Sequence, residues 1–265
     1  MLPLEHIERL VNAEHWNPAE VLVPHPTFGI GPHVVTIRAM APDARTARVL
    51  VDLPGLDSVP MRRVHEAGLF EAEGPEAIAA PTYRIELTDN DGTVVERHDP
   101  YAFPPLISDH DLHLFAEGKL FKAYDTMGAH VRTVDGVTGV HFVVWAPNAA
   151  RVSVVGGFNR WDGRCHPMIS RGGTGIWELF IPDLPEGALY KYEIRPRHGD
   201  AAFTKADPYA SAAELRPRTA SIVHNLSGYQ WSDRAWMEAR AARNPLSTPM
   251  SIYEVHLGSW MRVPE

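Results

Sequence analysis

The sequence predicts an all-β protein made of two consecutive antiparallel β-sandwiches, followed by a helical linker and one more strand. Three observations predict it. The chain carries two copies of one unit, apolar residues in each copy alternate with the period of a strand, and Gly, Pro, Asn and Asp punctuate the runs.

The copies align in order. Gly31-Pro32-His33-Val34-Val35 resembles Gly139-Val140-His141-Phe142-Val143, and Ala41-Pro42 recurs as Ala146-Pro147 before a Val-rich run. Gly68-Leu69-Phe70 corresponds to Gly175-Ile176-Trp177, and Tyr83-Arg84-Ile85-Glu86 to Tyr190-Lys191-Tyr192-Glu193. Asp99-Pro100-Tyr101-Ala102 returns as Asp207-Pro208-Tyr209-Ala210. Five pairs at a nearly constant offset of about 108 residues are a duplication rather than coincidence.

Within each copy the spacing is that of strands. Phe142 and Val144 fall on one face and Val143 and Trp145 on the other, while Trp177, Leu179 and Ile181 share a face opposite Glu178 and Phe180. Trp145 and Trp177 are therefore expected in the core. Asp89-Asn90-Asp91-Gly92 reads as a hairpin turn, because Asn and Gly tolerate the positive φ it needs. Residues 112–118 and 124–130 hold too many large apolar side chains for a free linker and predict an ordered connector. Past Ser221 the pattern changes. Residues 231–243 are helix-like, Asn244-Pro245 ends them, and residues 250–256 (MSIYEVH) have a buried-strand pattern.

Composition excludes several classes. With 45% apolar and 22% charged residues the chain is globular, and no run approaches the roughly 18 apolar residues of a membrane span. The opening residues lack the basic and apolar regions of a signal peptide, and Leu4, Ile7, Leu10 and Val11 predict a short amphipathic helix instead. A net charge of -8 without a basic stripe argues against nucleic acid. A single cysteine, Cys165, forbids an intrachain disulfide and fits a reducing cytoplasm. Despite 14 histidines, the densest group, Asp109-His110-Asp111 with His113, matches no zinc spacing, so neither metal nor cofactor is expected.

Residues 139–168 (GVHFVVWAPNAARVSVVGGFNRWDGRCHPM), then GIWELFIPDLPEGALYKYEI, KADPYA and RPRTAS, resemble the isoamylase N-terminal-type carbohydrate-binding module, family 48. The HLFAEG…YDTMGAH connector, the degenerate first copy and SIYEVHLGSW make the chain similar to the N-terminal part of bacterial 1,4-alpha-glucan branching enzymes. The resemblance implies immunoglobulin-like sandwiches over residues 1–105 and 106–225. It implies that residues 226–265 are a linker and the first strand of an alpha-amylase-type (β/α)8 barrel. It also implies a partner, α-1,4-glucan (glycogen or maltooligosaccharide), with Trp161 as the stacking ring, Asn159 and Lys191 as hydroxyl partners, and Phe203 where a second Trp is expected. The first copy lacks the Phe-Asn-Arg-Trp segment, so a structural role is expected of it.

The family's reaction needs two carboxylates about 5–5.5 Å apart, which the resemblance places on late strands of a barrel of about 250 residues. Only about 40 residues follow the second sandwich, too few for such a barrel. The chain is therefore expected to hold no catalytic residue, to be inactive alone, and to bind glucan beside a barrel it does not contain. The alternatives at this stage are a stand-alone glucan-binding adaptor, or the N-terminal part of a debranching or trehalose-releasing relative.

Overall fold

A computed structural model describes residues 2–27, 34–53, 56–75, 78, 83–199 and 201–260. Gly31, Pro32 and His33 of the first repeat pair lie outside the described residues. The chain divides into two compact units, Met1–Asn225 and Leu226–Glu265.

The first unit opens with α1 (Leu4–Val11), the helix expected from the spacing, and a single turn, α2 (Ala19–Leu22). Seven strands follow: β1 (His25–Thr27), β2 (Val34–Met40), β3 (Ala44–Leu53), β4 (Leu56–His65), β5 (Leu69–Pro75), β6 (Arg84–Asp89) and β7 (Val94–His98). Their order is β1-β2-β5-β4-β3-β6-β7, with every pairing antiparallel. β4 pairs with β3 as far as Met61 and with β5 from Arg62, so one strand serves both halves of the layer. The halves share a core: Ile37, Phe70 and Ala72 from one, Val49, Ile85 and Leu87 from the other.

The second repeat contains β8 (Gly128–Val134), β9 (Val137–Trp145), β10 (Ala149–Gly156), β11 (Ile169–Ser170), β12 (Ile176–Pro182), β13 (Leu189–Pro196), β14 (Phe203–Lys205), β15 (Ala212–Ala213) and β16 (Ser221–Ile222). One sheet runs β11-β12-β9-β8, the other β10-β13-β16-β15 with β14 also on β13. They share a core in which Phe142, Val144, Trp177, Leu179 and Ile181 meet Val152, Val154, Tyr190 and Tyr192, the alternation read from the sequence. Leu10, Val11, Val21 and Leu22 of the two N-terminal helices join that core.

The outer face of β9–β12 is covered as well. The connector carries α3 (Asp109–Ala116), begun by Ser108, whose hydroxyl accepts from the Asp111 amide. Ile107, Leu112 and Met127 pack on Val143 and Ile176, and Phe103 packs on Phe180. Beneath it Glu178, buried, accepts from the Leu106 and Ile107 amides at 2.8 and 3.2 Å, from His141 at 2.8 Å and from Arg171 at 2.5 Å.

The repeated residues make repeated contacts. Ala41 N donates to Gly68 O and Ala146 N to Gly175 O, both at 2.8 Å, and both glycines have positive φ (+95° and +77°). A side chain at either glycine would strike Pro42 or Pro147. The turn predicted at 89–92 is present between β6 and β7, with Gly92 at φ +89°.

Two expectations are corrected. Trp145 is 53% exposed rather than in the core: as the last residue of β9 it meets Phe115 edge-on and donates to Thr174 O. In the second unit α4 (Arg234–Ala242) forms as expected, with the short α5 (Leu257–Trp260) after it. Residues 250–256 do not form a strand there. A strand needs a neighbour for its backbone groups; among the described residues none pairs with this stretch, and Ile252 is 85% exposed.

Candidate functional site

The site grows from the residues after β10. Where β3 and β4 of the first repeat stay paired out to Leu53 and Leu56, the second repeat ends β10 at Gly156 and runs residues 157–168 as a loop before β11. Asn159 closes this loop. Its buried amide accepts from Gly156 N and donates to Val154 O and to His166 Nδ1, each at 2.9 Å. Arg160 and Trp161 both adopt the left-handed conformation, at φ +54° and +61°, each costing about 1–2 kcal/mol for a residue with a Cβ. The Trp161 amide donates back to Gly156 O at 2.9 Å. The loop thus spends backbone strain to hold the Trp161 ring at the surface, 43% exposed.

Arg151, buried under the loop, ties it to the sheet. Its guanidinium donates to Gly163 O, to Ser153 Oγ at 2.6 Å, to Glu193 at 3.2 Å and to Ala13 O at 2.9 Å. Gly163 passes so close to Glu193 that a Cβ there would lie 1.9 Å from Oε1. The returning segment pairs beside β10, Val154 N to His166 O at 3.0 Å and Met168 N to Val152 O at 2.8 Å. Burial, and secondarily the charge of Arg97, push His166 down to about 3, so it is neutral. Burial, then the charge of Asp162, push the Cys165 thiol up to about 12, which leaves it without nucleophilic character.

Trp161 borders a groove of about 270 Å³ with Gly157, Phe158, Leu184, Pro185, Ala188 and Leu189. None of these residues titrates, so the groove can hold an apolar face but supplies no acid, base or nucleophile.

Of the four residues the sequence singled out, the structure brings two to one face. Gly156 faces Tyr190 across the β10–β13 ladder, and Lys191 is the next residue, opposite Val155. Tyr190 and Tyr192 point into the core, so Lys191 and Glu193 lie on the face under the loop. Lys191 Nζ donates to Thr219 Oγ1 at 2.7 Å. Phe203 stands apart. It pairs with Ile194, which shares the face of Tyr190 and Tyr192 opposite Lys191, and its ring, 43% exposed, lies under Lys205 Nζ. Asn159 is inside, its polar atoms committed to the loop. Sequence reasoning missed Leu184, Pro185, Ala188 and Leu189, which a distant turn delivers. It also missed Arg151, whose alternation reads as solvent-facing.

For a metal, one cluster exists among the described residues: His6, His15 and Glu20, with ligand atoms within 4.8 Å of one another. The Asn17 amide donates to His15 Nδ1, so His15 Nε2 carries a proton and gives it to His6 Nδ1 at 2.8 Å. Those nitrogens are spent on each other.

Residues 3–101 match the family model of the alpha-1,4-glucan branching enzyme GlgB N-terminal domain. Residues 126–210 match carbohydrate-binding module 48, the isoamylase N-terminal domain. The chain is 48% identical over 258 residues to the 1,4-alpha-glucan branching enzyme GlgB of Paramagnetospirillum magneticum, covering 97% of this chain and 34% of that protein. It is 54% identical over 206 residues to GlgB of Nitrosomonas europaea, covering 78% of this chain and 28% of that one. The chain therefore carries a GlgB N-terminal domain and a module-48 domain, and it is similar to GlgB branching enzymes. It spans about a third of the length of the curated GlgB relatives it matches. Among solved structures it is similar to a pullulanase from Anoxybacillus sp. LM18-11, with TM-score 0.34 and 16% identity over 78% of this chain and 28% of that one. The module-48 match contains the whole Trp161 loop, Lys191 and Phe203, whereas Leu226–Glu265 lies beyond both family-model matches. Among the described residues no helix is long and apolar enough to cross a membrane.

Proposed function

We propose that this region is the non-catalytic front of a cytoplasmic glycogen branching enzyme, which transfers α-1,4-glucan segments to form α-1,6 branches. In this reading residues 1–105 and 106–225 are two immunoglobulin-like sandwiches, and residues 226–265 lead into an alpha-amylase-type barrel, with 250–256 becoming its first strand once neighbours pair with it. The region binds or positions glycogen or maltooligosaccharide and supports that barrel. The catalytic carboxylates belong to the barrel.

One observation carries the reading: a tryptophan held out by two left-handed residues over an apolar groove that has no titratable lining. A pyranose offers an apolar C–H face that stacks on such a ring. Lys191, on the same face of the β10–β13 sheet, can turn from Thr219 to a sugar hydroxyl. Phe203 is a separate, weaker contact, and Asn159 serves by shaping the loop. Covering about 100 Å² of sugar face stabilises the complex by roughly 2.5 kcal/mol, from which association costs are subtracted. The ring contact alone therefore binds no tighter than about 15 mM, so retention on a polymer relies on several sites.

Electrophoresis of the chain through glycogen-containing gels tests this. Retardation is expected, and Trp161→Ala should abolish most of it. Equal retardation of the variant would remove the ledge. Incubation with amylose should yield no new α-1,6 branches.

A further inference from the structure

Arg160 lies beside the ledge residue but faces the first repeat. Its Nη1 is 2.9 Å from Asp43 Oδ2, and its Nη2 donates to Asp89 Oδ2 at 3.0 Å. Asp43 sits in the turn between β2 and β3, and Asp89 ends β6 at the hairpin into β7. Asn90 Nδ2 reaches Asp43 O at 3.5 Å, linking the two turns. A groove of about 190 Å³, lined by Pro42, Leu87 and Val95 of the first repeat and Phe158 and Cys165 of the second, lies at this junction. Arg160, which also lines it, bridges it with one planar fork. A second tie meets the same loop near its other end, where Tyr101 Oη donates to Pro167 O at 2.8 Å.

The loop needs such ties. Two successive left-handed residues with side chains are sparsely populated in a free chain; the backbone bonds of Trp161 N to Gly156 O and Asp162 N to Asn159 O hold them locally, and the Arg160 side chain ties them to the first repeat. We propose that Arg160 is a positioning residue for the ledge: by gripping Asp43 and Asp89 it sets the pose of Trp161, so the first repeat raises glucan affinity without touching sugar. This rests on Trp161 being the glucan contact. It gives the first repeat a part in binding that its missing Phe-Asn-Arg-Trp segment conceals.

The uncharged ligand makes the clamp visible. A neutral glucan has no Coulomb attraction to screen, whereas the Arg160 pairs are partly exposed and weaken as salt shortens the screening length from roughly 20 Å to 4 Å between about 20 mM and 500 mM. The test uses the whole chain labelled with 5-fluorotryptophan, its Trp161 resonance assigned by loss in Trp161→Phe, and maltoheptaose as the probe. In Asp43→Asn/Asp89→Asn, which leaves Arg160 and Trp161 in place, affinity should fall about two- to fivefold and the Trp161 resonance should shift or broaden. Wild-type affinity should decline with salt and that of the variant should not. Arg160→Lys, charged but unable to fork to both partners, should fall between. If Arg160 instead touched glucan directly, freeing it from its carboxylates would maintain or raise affinity and leave the resonance in place, overturning the proposal. Unchanged binding by Trp161→Ala would sink the ledge itself. Loss in Trp161→Ala with none in the aspartate variant would sink only the clamp.

Discussion

The hydroxyl of Tyr190 donates to the buried carboxylate of Asp207 at 2.6 Å, and Tyr83 donates to Asp99 in the same way one repeat earlier. In each case the other carboxylate oxygen accepts from the amide of the tyrosine two residues on, Tyr209 at 2.8 Å and Tyr101 at 3.0 Å. Asp-Pro-Tyr is thus a closing device: the aspartate caps its own turn and anchors it to a tyrosine of the sheet.

Burial outweighs these hydrogen bonds and lifts Asp99 from 3.8 to about 6. The folded chain therefore holds a proton there between about pH 4 and 6 that the unfolded chain has lost. That contribution is complete below about pH 4 and disappears as pH rises through about 6, a change of about 3 kcal/mol. Wild-type stability minus that of Asp99→Asn, from urea titrations, should shrink by that order across this window. A difference that is flat or grows with pH would show that Asp99 is ionised throughout.

Gly68 and Gly175 should be equally intolerant of a side chain. A Cβ would sit 2.4 Å from Pro42 Cα at the first and 2.8 Å from Pro147 Cα at the second, both backbone atoms, and both residues have positive φ. Alanine should cost about 2–4 kcal/mol at either. Gly136, with φ +81° but open space around it, isolates the conformational part and should cost about 1 kcal/mol. Thermal unfolding of the three variants checks the ranking.

These glycines also show why the duplication was legible. A turn that must pass an Ala-Pro backbone accepts only glycine, and a buried aspartate needs its tyrosine, so the residue types survive where the rest of the repeat has drifted apart. Trp161 was singled out only through the resemblance to module 48, and the structure places its ring at the surface. Other features depend on information that a local pattern lacks. Asn159 looks like a surface amide until the loop closes over it. The face of Phe203 depends on the register of β14 against β13. Arg151 falls on an outward position that residues 157–165 later cover, and the groove wall from Leu184 to Leu189 arrives through tertiary packing alone.

Glu178 joins the connector to the second repeat and should be costly to remove. Burial alone would raise its pKa. The hydrogen bond and charge of His141, with the Leu106 and Ile107 amides, outweigh burial and hold the carboxyl below its ordinary value. Glu178→Ala leaves those amides, His141 and most of Arg171 without their acceptor, at about 3–5 kcal/mol. Urea unfolding measures the total. Because two of the four donors are connector amides, hydrogen exchange at Leu106 and Ile107 should accelerate before global unfolding.

His166 gives the opposite acid response to Asp99, and the loop reports it. Its Nδ1 accepts from Asn159, so it must stay neutral for the turn under Trp161 to hold. With its folded value near 3 and its ordinary value 6.5, its contribution is present above about pH 6.5 and is lost as pH falls towards 3, by about 1.4 kcal/mol per unit. The difference between wild type and His166→Gln should follow that slope downward from pH 6.5, running against the Asp99 contribution over the pH range they share, so each must be read from its own variant. Within the folded state His166 does not titrate between pH 7 and 5, and the groove lining has nothing that could. Asp99 does titrate near 6 and caps Tyr101, which holds the loop at Pro167, so the measurement is made in Asp99→Asn: its maltoheptaose affinity should be level over that range, and a drop at pH 5 would mean that His166 protonates in place and releases the Trp161 turn.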